Sequence, residues 1–101
     1  MAHAEKGEIT FWVRHTDRGW TTNDRAYEFG PFGTKELEVR VRKHPDRSIE
    51  LTVSGLFGQT LTSRSPIPEW ERNGLFVAIT WAKKEVNVYL NRERVSTLRA
   101  S

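Results

Sequence analysis

The sequence predicts an all-β domain of antiparallel strands packed as a sandwich. The clearest sign is the segment LFVAITWAKKEVNVYL at positions 75–90. Leu75, Val77, Ile79 and Trp81 share one face of a first strand, and Val86, Val88 and Leu90 share one face of a second. Ala82, Lys83, Lys84 and Glu85 supply a polar turn between them. The same period of two recurs along the chain, broken at near-regular spacing by turn residues, and no helical period competes with it. Short strands without intervening helices pack as antiparallel sheets in a sandwich or barrel.

Taken in order, strands are expected at 8–14 with Ile9, Phe11 and Val13 inward, at 25–29 with Tyr27 and Phe29 inward, and at 36–42 with Leu37, Val39 and Val41 inward. Further strands are expected at 48–54 (Ile49, Leu51 and Val53 inward), 56–62, 75–81, 86–91 and 94–98. Turn signals separate them: Asp17-Arg18-Gly19, Gly30-Pro31-Phe32-Gly33, His44-Pro45-Asp46-Arg47, Asn73-Gly74 and Asn91-Arg92-Glu93. The irregular stretch TSRSPIPEWERN at 62–73 carries Pro66 and Pro68, which exclude a central strand. It is expected to cross between sheets or cover an edge, bringing the 75–91 hairpin back beside earlier strands as jelly-roll windings do.

The 101 residues suit one domain with one core. With no cysteine, disulfides, thiolate nucleophiles and Cys-based zinc sites are excluded. No apolar run approaches the roughly 18 residues of a membrane span, and MAHAEKGEITFW contains no signal-peptide segment, so a soluble, cytoplasmic protein is the default expectation. Lysine and arginine total 16 against 13 acids, a formal charge of +3. These bases are mixed with acids along the chain, as on an ordinary solvated surface, which makes nucleic acid an unlikely partner.

The aromatic residues carry more information. Trp12 falls on the face opposite Ile9, Phe11 and Val13, together with Thr10 and Arg14, and Tyr89 opposes Val86, Val88 and Leu90 together with Asn87 and Asn91. Flat rings beside amides and guanidinium groups suit a pyranose, whose apolar face stacks on the ring while its hydroxyls bond the polar groups. The same face serves equally as packing or as a protein interface. Trp20, in the loop HTDRGWTTNDR, is the loop aromatic best placed for ligand contact, the alternative being a tryptophan tucked against the core. Arg14, Arg40 and Arg42 suggest a basic face which, with Trp12, would make a stacking and phosphate platform for single strands or a groove for acidic polysaccharide. Glu36 and Glu38 continue that face and oppose it.

His3, His15 and His44 are isolated and show no metal-ligand spacing, so no metal is assigned. Asp17, Asn23 and Asp24 are loop oxygens of the kind calcium accepts. The pairs Glu36 and Glu38, and Glu69 and Glu71, lie beside bases and read as solvated charge.

GLFVAITWAKKEVNVYLNRERV resembles the central signature of laminin-G-like domains in the concanavalin A-like lectin and glucanase superfamily, a V-A-x-T-W strand, a short turn and V-x-L-Y-V-N-G. Val77, Ala78, Thr80 and Trp81 match the first half and Val86, Val88, Tyr89, Leu90 and Asn91 the second, while Gly7 to Val13 is similar to the early T-I-x-F-W-V strand. SIELTVSG resembles the middle strand pair. Arg92 stands where the family has the turn glycine, and Leu75 or Phe76 replaces the opening aromatic.

The resemblance spans about residues 7–96, as the middle of a longer fold. It implies a concanavalin A-like jelly roll of reduced size with carbohydrate as its ligand class. A sandwich lacking outer strands exposes edges, which predicts a homo-oligomer joined by sheet edges or faces. Glucanases of that superfamily use E-x-D-x-x-E to place two carboxylates on one strand face, and no such string occurs. The expectation is therefore a non-catalytic, cofactor-free carbohydrate-binding module contacting its ligand through Trp12, Arg14, Trp20, Asn87, Tyr89 and Asn91. An assembly domain without a sugar ligand is the alternative, and nucleic-acid binding a weaker one.

Overall fold

A computed structural model describes residues 6–34, 37–68 and 74–100. Eight strands follow one another without a helix among the described residues: β1 (Lys6–Val13), β2 (Tyr27–Gly33), β3 (Glu38–Lys43), β4 (Ser48–Leu56), β5 (Gln59–Pro66), β6 (Leu75–Ala82), β7 (Glu85–Leu90) and β8 (Glu93–Arg99). They form two antiparallel four-stranded sheets, ordered β1-β6-β7-β8 and β2-β3-β4-β5. The second sheet is a simple meander. In the first, β1 pairs with β6 across the whole chain, Gly7 opposite Trp81 and Trp12 opposite Phe76.

Alternation drives the burial. Val13, Leu75, Val77, Ile79, Trp81, Val86, Val88 and Leu90 from one sheet meet Leu37, Val39, Val41, Ile49, Leu51, Val53 and Leu56 from the other. With no cysteine, this apolar contact holds the sheets together. The sheets also touch at both sides. Phe11 of β1 stacks on Phe32 of β2 with centroids 4.2 Å apart, and the Ser63 hydroxyl of β5 donates to Ser96 of β8 at 2.6 Å.

Gly7 allows a close approach: a Cβ there would lie 2.5 Å from Cζ2 of Trp81, so the indole covers the bare backbone of β1. Gly33 has φ +97° and a Cβ would meet the Leu37 carbonyl oxygen at 2.2 Å, so only glycine closes β2 onto β3 here.

Three hairpins turn on pairs of left-handed residues: Phe57 with Gly58, Lys83 with Lys84, and Asn91 with Arg92. The first differs from expectation. Gly55, φ +104°, sits at the register shift between Ser54 and Leu56, and the turn falls two residues later. The segment beginning at Thr62 also starts as strand, because β5 is an edge and tolerates Pro66 at its end. The crossing between sheets follows it, as expected, and β6 returns beside β1. Residues 69–73, with Glu69, Trp70 and Glu71, lie outside the described residues, as do His3 and Glu36.

Arg92 holds φ +72° where a glycine would sit without penalty. Arg92→Gly is expected to raise stability by about 0.5–1 kcal/mol, read as a higher urea midpoint at unchanged slope.

Candidate ligand-binding face

The β1–β6–β7 register assembles one outer face from residues distant in sequence. Trp12 lies opposite Phe76; Thr10, Ala78 and Tyr89 form the next row; Glu8, Thr80 and Asn87 form the one after. Alternation requires this, since the same strands turn Val13, Val77, Ile79, Val86 and Val88 inward. Trp12 is 50% exposed, the one large hydrophobic residue so open among those described. Its ring meets Phe76 in a tilted contact at 5.2 Å, and the Arg14 guanidinium lies 4.8 Å from its centroid. Tyr89 stands two strands away, about 10 Å across the sheet. Ala78 lies between Thr10 and Tyr89 in the row next to Trp12, and further along the face Glu8, Thr80, Ala82 and Asn87 help to line a hollow. The Asn87 amide oxygen accepts from Thr97 at 2.9 Å, which orients its amide nitrogen for a further acceptor.

Four of the six expected contact residues therefore come together: Trp12, Arg14, Asn87 and Tyr89. The other two are corrected. Trp20 is fully buried, packed on Phe29 at 4.9 Å and Tyr27 at 6.4 Å, because the 17–23 loop folds it under the sandwich end. Trp20 N donates to Asp17 O, and the Thr22 and Asn23 amides donate to Gly19 O, in the turns that carry it there. Asn91 is 9% exposed and completes the β6–β7 ladder, its backbone N–H donating to Phe76 O at 2.8 Å while its Oδ1 accepts from Phe76 N at 3.0 Å. Phe76 and Thr80 were not placed on this face from sequence, because their place beside Trp12 and Thr10 depends on the long-range pairing of β1 with β6.

The basic face joining Arg14 to Arg40 and Arg42 does not form. Arg40 and Arg42 lie on the outer face of the other sheet, where Arg42 pairs with Glu28, Arg40 with Glu38 at 3.3 Å, and Glu50 sits opposite Arg42. Glu28 lies below the ordinary carboxylate range because Arg42 hydrogen-bonds it. This face is a charge-neutralised ladder, on the sheet opposite Arg14 and Trp12.

Two of the three loop residues considered for calcium, Asp17 and Asn23, have their oxygens engaged from within. The Asp17 carboxylate accepts from the Tyr27 hydroxyl at 2.5 Å, from Asn23 Nδ2 at 3.1 Å and from Gly19 N at 3.0 Å. Those bonds, Tyr27 foremost, hold its carboxyl below the usual range. The Lys43 ammonium, fully buried, donates to Asn23 O, to Asn23 Oδ1 at 3.1 Å and to Arg25 O at 2.6 Å. Burial pushes Lys43 below the ordinary lysine range, with Asp24 acting in the opposite direction. Elsewhere His44 pairs with Glu50 at 2.6 Å. No group of three or more potential metal ligands gathers among the described residues.

No protein-family model matches the chain, and no curated protein matches it. The likeness to laminin-G-like domains therefore rests on the sequence motif alone.

Proposed function

We propose that this domain is a non-catalytic carbohydrate-binding module whose ligand lies on the outer face of the β1-β6-β7-β8 sheet. The observation that carries this is Trp12: half exposed on a regular strand, in tilted contact with Phe76, with the Arg14 guanidinium 4.8 Å from its ring centroid and with Thr80 and Asn87 two rows further along the same face. Leaving a tryptophan face exposed to water is unfavourable, and pyranose rings present an apolar surface that would cover it. The concanavalin A-like jelly-roll assignment belongs to this reading, supported by the motif and by the two crossings between sheets.

A glycan array probed at about 0.3 M salt, where screening suppresses generic charge attraction, tests it. A saccharide hit is expected, with Trp12→Ala weakening it about tenfold at unchanged thermal midpoint. Binding indifferent to Trp12 would remove the site.

One observation favours assembly as a second reading. Of the four edge strands, β2, β5 and β8 each carry a register shift against their neighbour, whereas β1 pairs with β6 over eight residues without one. A regular edge is the template for pairing with a second copy. A mass that rises with concentration, together with a blank array, would select this reading.

A further inference from the structure

Beyond the end of β1 the chain places Arg14, His15, Thr16 and Arg18 around one open hollow. Arg14 belongs to both the hollow and the Trp12 platform, since its guanidinium rests on that ring. Among the described residues neither Arg14 nor Arg18 has an acid within ion-pairing distance, whereas Arg40, Arg42, Arg64 and Arg99 are each paired with one. The nearest acid in sequence, Asp17, turns its oxygens to Tyr27, Asn23 and Gly19. His15 Nδ1 accepts from Asp17 N at 3.0 Å, and its ring lies on Tyr27 at 4.6 Å, which fixes it at the wall of the hollow.

From this arrangement we infer that the ligand is an acidic glycan, with a uronate ring stacked on Trp12 and its carboxylate seated between Arg14 and Arg18. The inference rests on the carbohydrate reading above and names the class of sugar. A guanidinium beside an aromatic ring, Arg14 on Trp12, with a second, Arg18, lining the same hollow, suits a planar carboxylate, which guanidinium groups take through parallel N–H bonds. The acid is bound without a bridging metal: the neighbouring loop oxygens of Asn23 and Arg25 already hold the Lys43 ammonium, and those of Asp17 hold Tyr27 and Asn23.

The test uses the full chain, titrated calorimetrically with tetrasaccharides from hyaluronan, polygalacturonate and alginate. Each is paired with its carboxyl-reduced neutral form, and dextran sulfate with dextran. At least one uronate form is expected to bind about tenfold or more tightly than its reduced partner. Arg14→Ala with Arg18→Ala should erase that difference, while Lys83→Ala with Lys84→Ala, which removes charge at the opposite end of β6, should preserve it. EDTA should change nothing. Equal binding of uronate and reduced forms would overturn the inference and leave the carbohydrate reading standing. Preference for dextran sulfate alone, loss of binding in EDTA, or equal loss in the Lys83/Lys84 variant would also overturn it. Binding to none of these sugars, combined with a blank array, would defeat both readings.

Discussion

Trp20→Ala is expected to destabilise the domain by about 3–5 kcal/mol, the cost of deleting a large buried aromatic side chain. Trp20 has no exposed surface, and its ring is the floor on which Phe29 and Tyr27 pack. Against the 5–15 kcal/mol typical of a whole domain, a loss of that size removes a large part of the total. Chemical denaturation followed by far-UV circular dichroism measures it. Trp20→Phe should cost distinctly less, because the indole Nε1 is buried without a hydrogen-bond partner and its removal relieves that desolvation. A Trp20→Ala protein as stable as the parent would show that the loop does not seal the core. The loop tryptophan is thus a stability determinant, and loss of ligand binding in its variants would follow from unfolding.

Lys43→Met is expected to cost about 2–3 kcal/mol, because it keeps the stem's volume but strands the Asn23 and Arg25 acceptors that the ammonium satisfies. The damage should be local. Amide exchange at Thr22 and Asn23, whose N–H groups close the loop on Gly19, should accelerate more than exchange at Val39 or Leu51 in the β3–β4 ladder. Uniform acceleration at all of these sites would mean that Lys43 supports the whole domain rather than the loop. Lys43 acts as an internal cation for that loop, in the place where sequence reasoning considered an external one.

The architecture was largely legible in the sequence, because a period of two with turn residues between is a local signal. Each of the eight expected strands has an observed counterpart, although β2 runs on through Gly30-Pro31-Phe32-Gly33, read from sequence as a turn, and β5 runs from Gln59 to Pro66; Ile49, Leu51, Val53, Val77 and Ile79 are core residues as their spacing requires. The misplaced turn near Gly55 reflects a glycine whose left-handed backbone serves a bulge, a role that single-chain spacing cannot separate from a turn. Sites were harder, since side-chain type does not say which neighbours a strand will acquire. Trp12 and Tyr89 were readable as outward aromatics, but Phe76 joins them only through β1–β6 pairing. Arg14 and Arg40 read alike in sequence yet lie on opposite faces of the sandwich. Lys43 gave no signal at all: alternation aims it inward with Val39 and Val41, and its partners lie 18 and 20 residues earlier.

The pairing of β1 with β6 also sets an order of events. Ile9 meets Ile79 about 70 residues away, whereas each other ladder joins strands that follow one another directly in the chain. Closing so long a loop costs more entropy than closing a hairpin, so the two meanders have the advantage of speed and β1 docks after them. Trp12 arrives with β1. A chain passing through partly folded states therefore carries no assembled aromatic platform until β1 is in place, so the recognition proposed for that face would be a property of the finished domain alone.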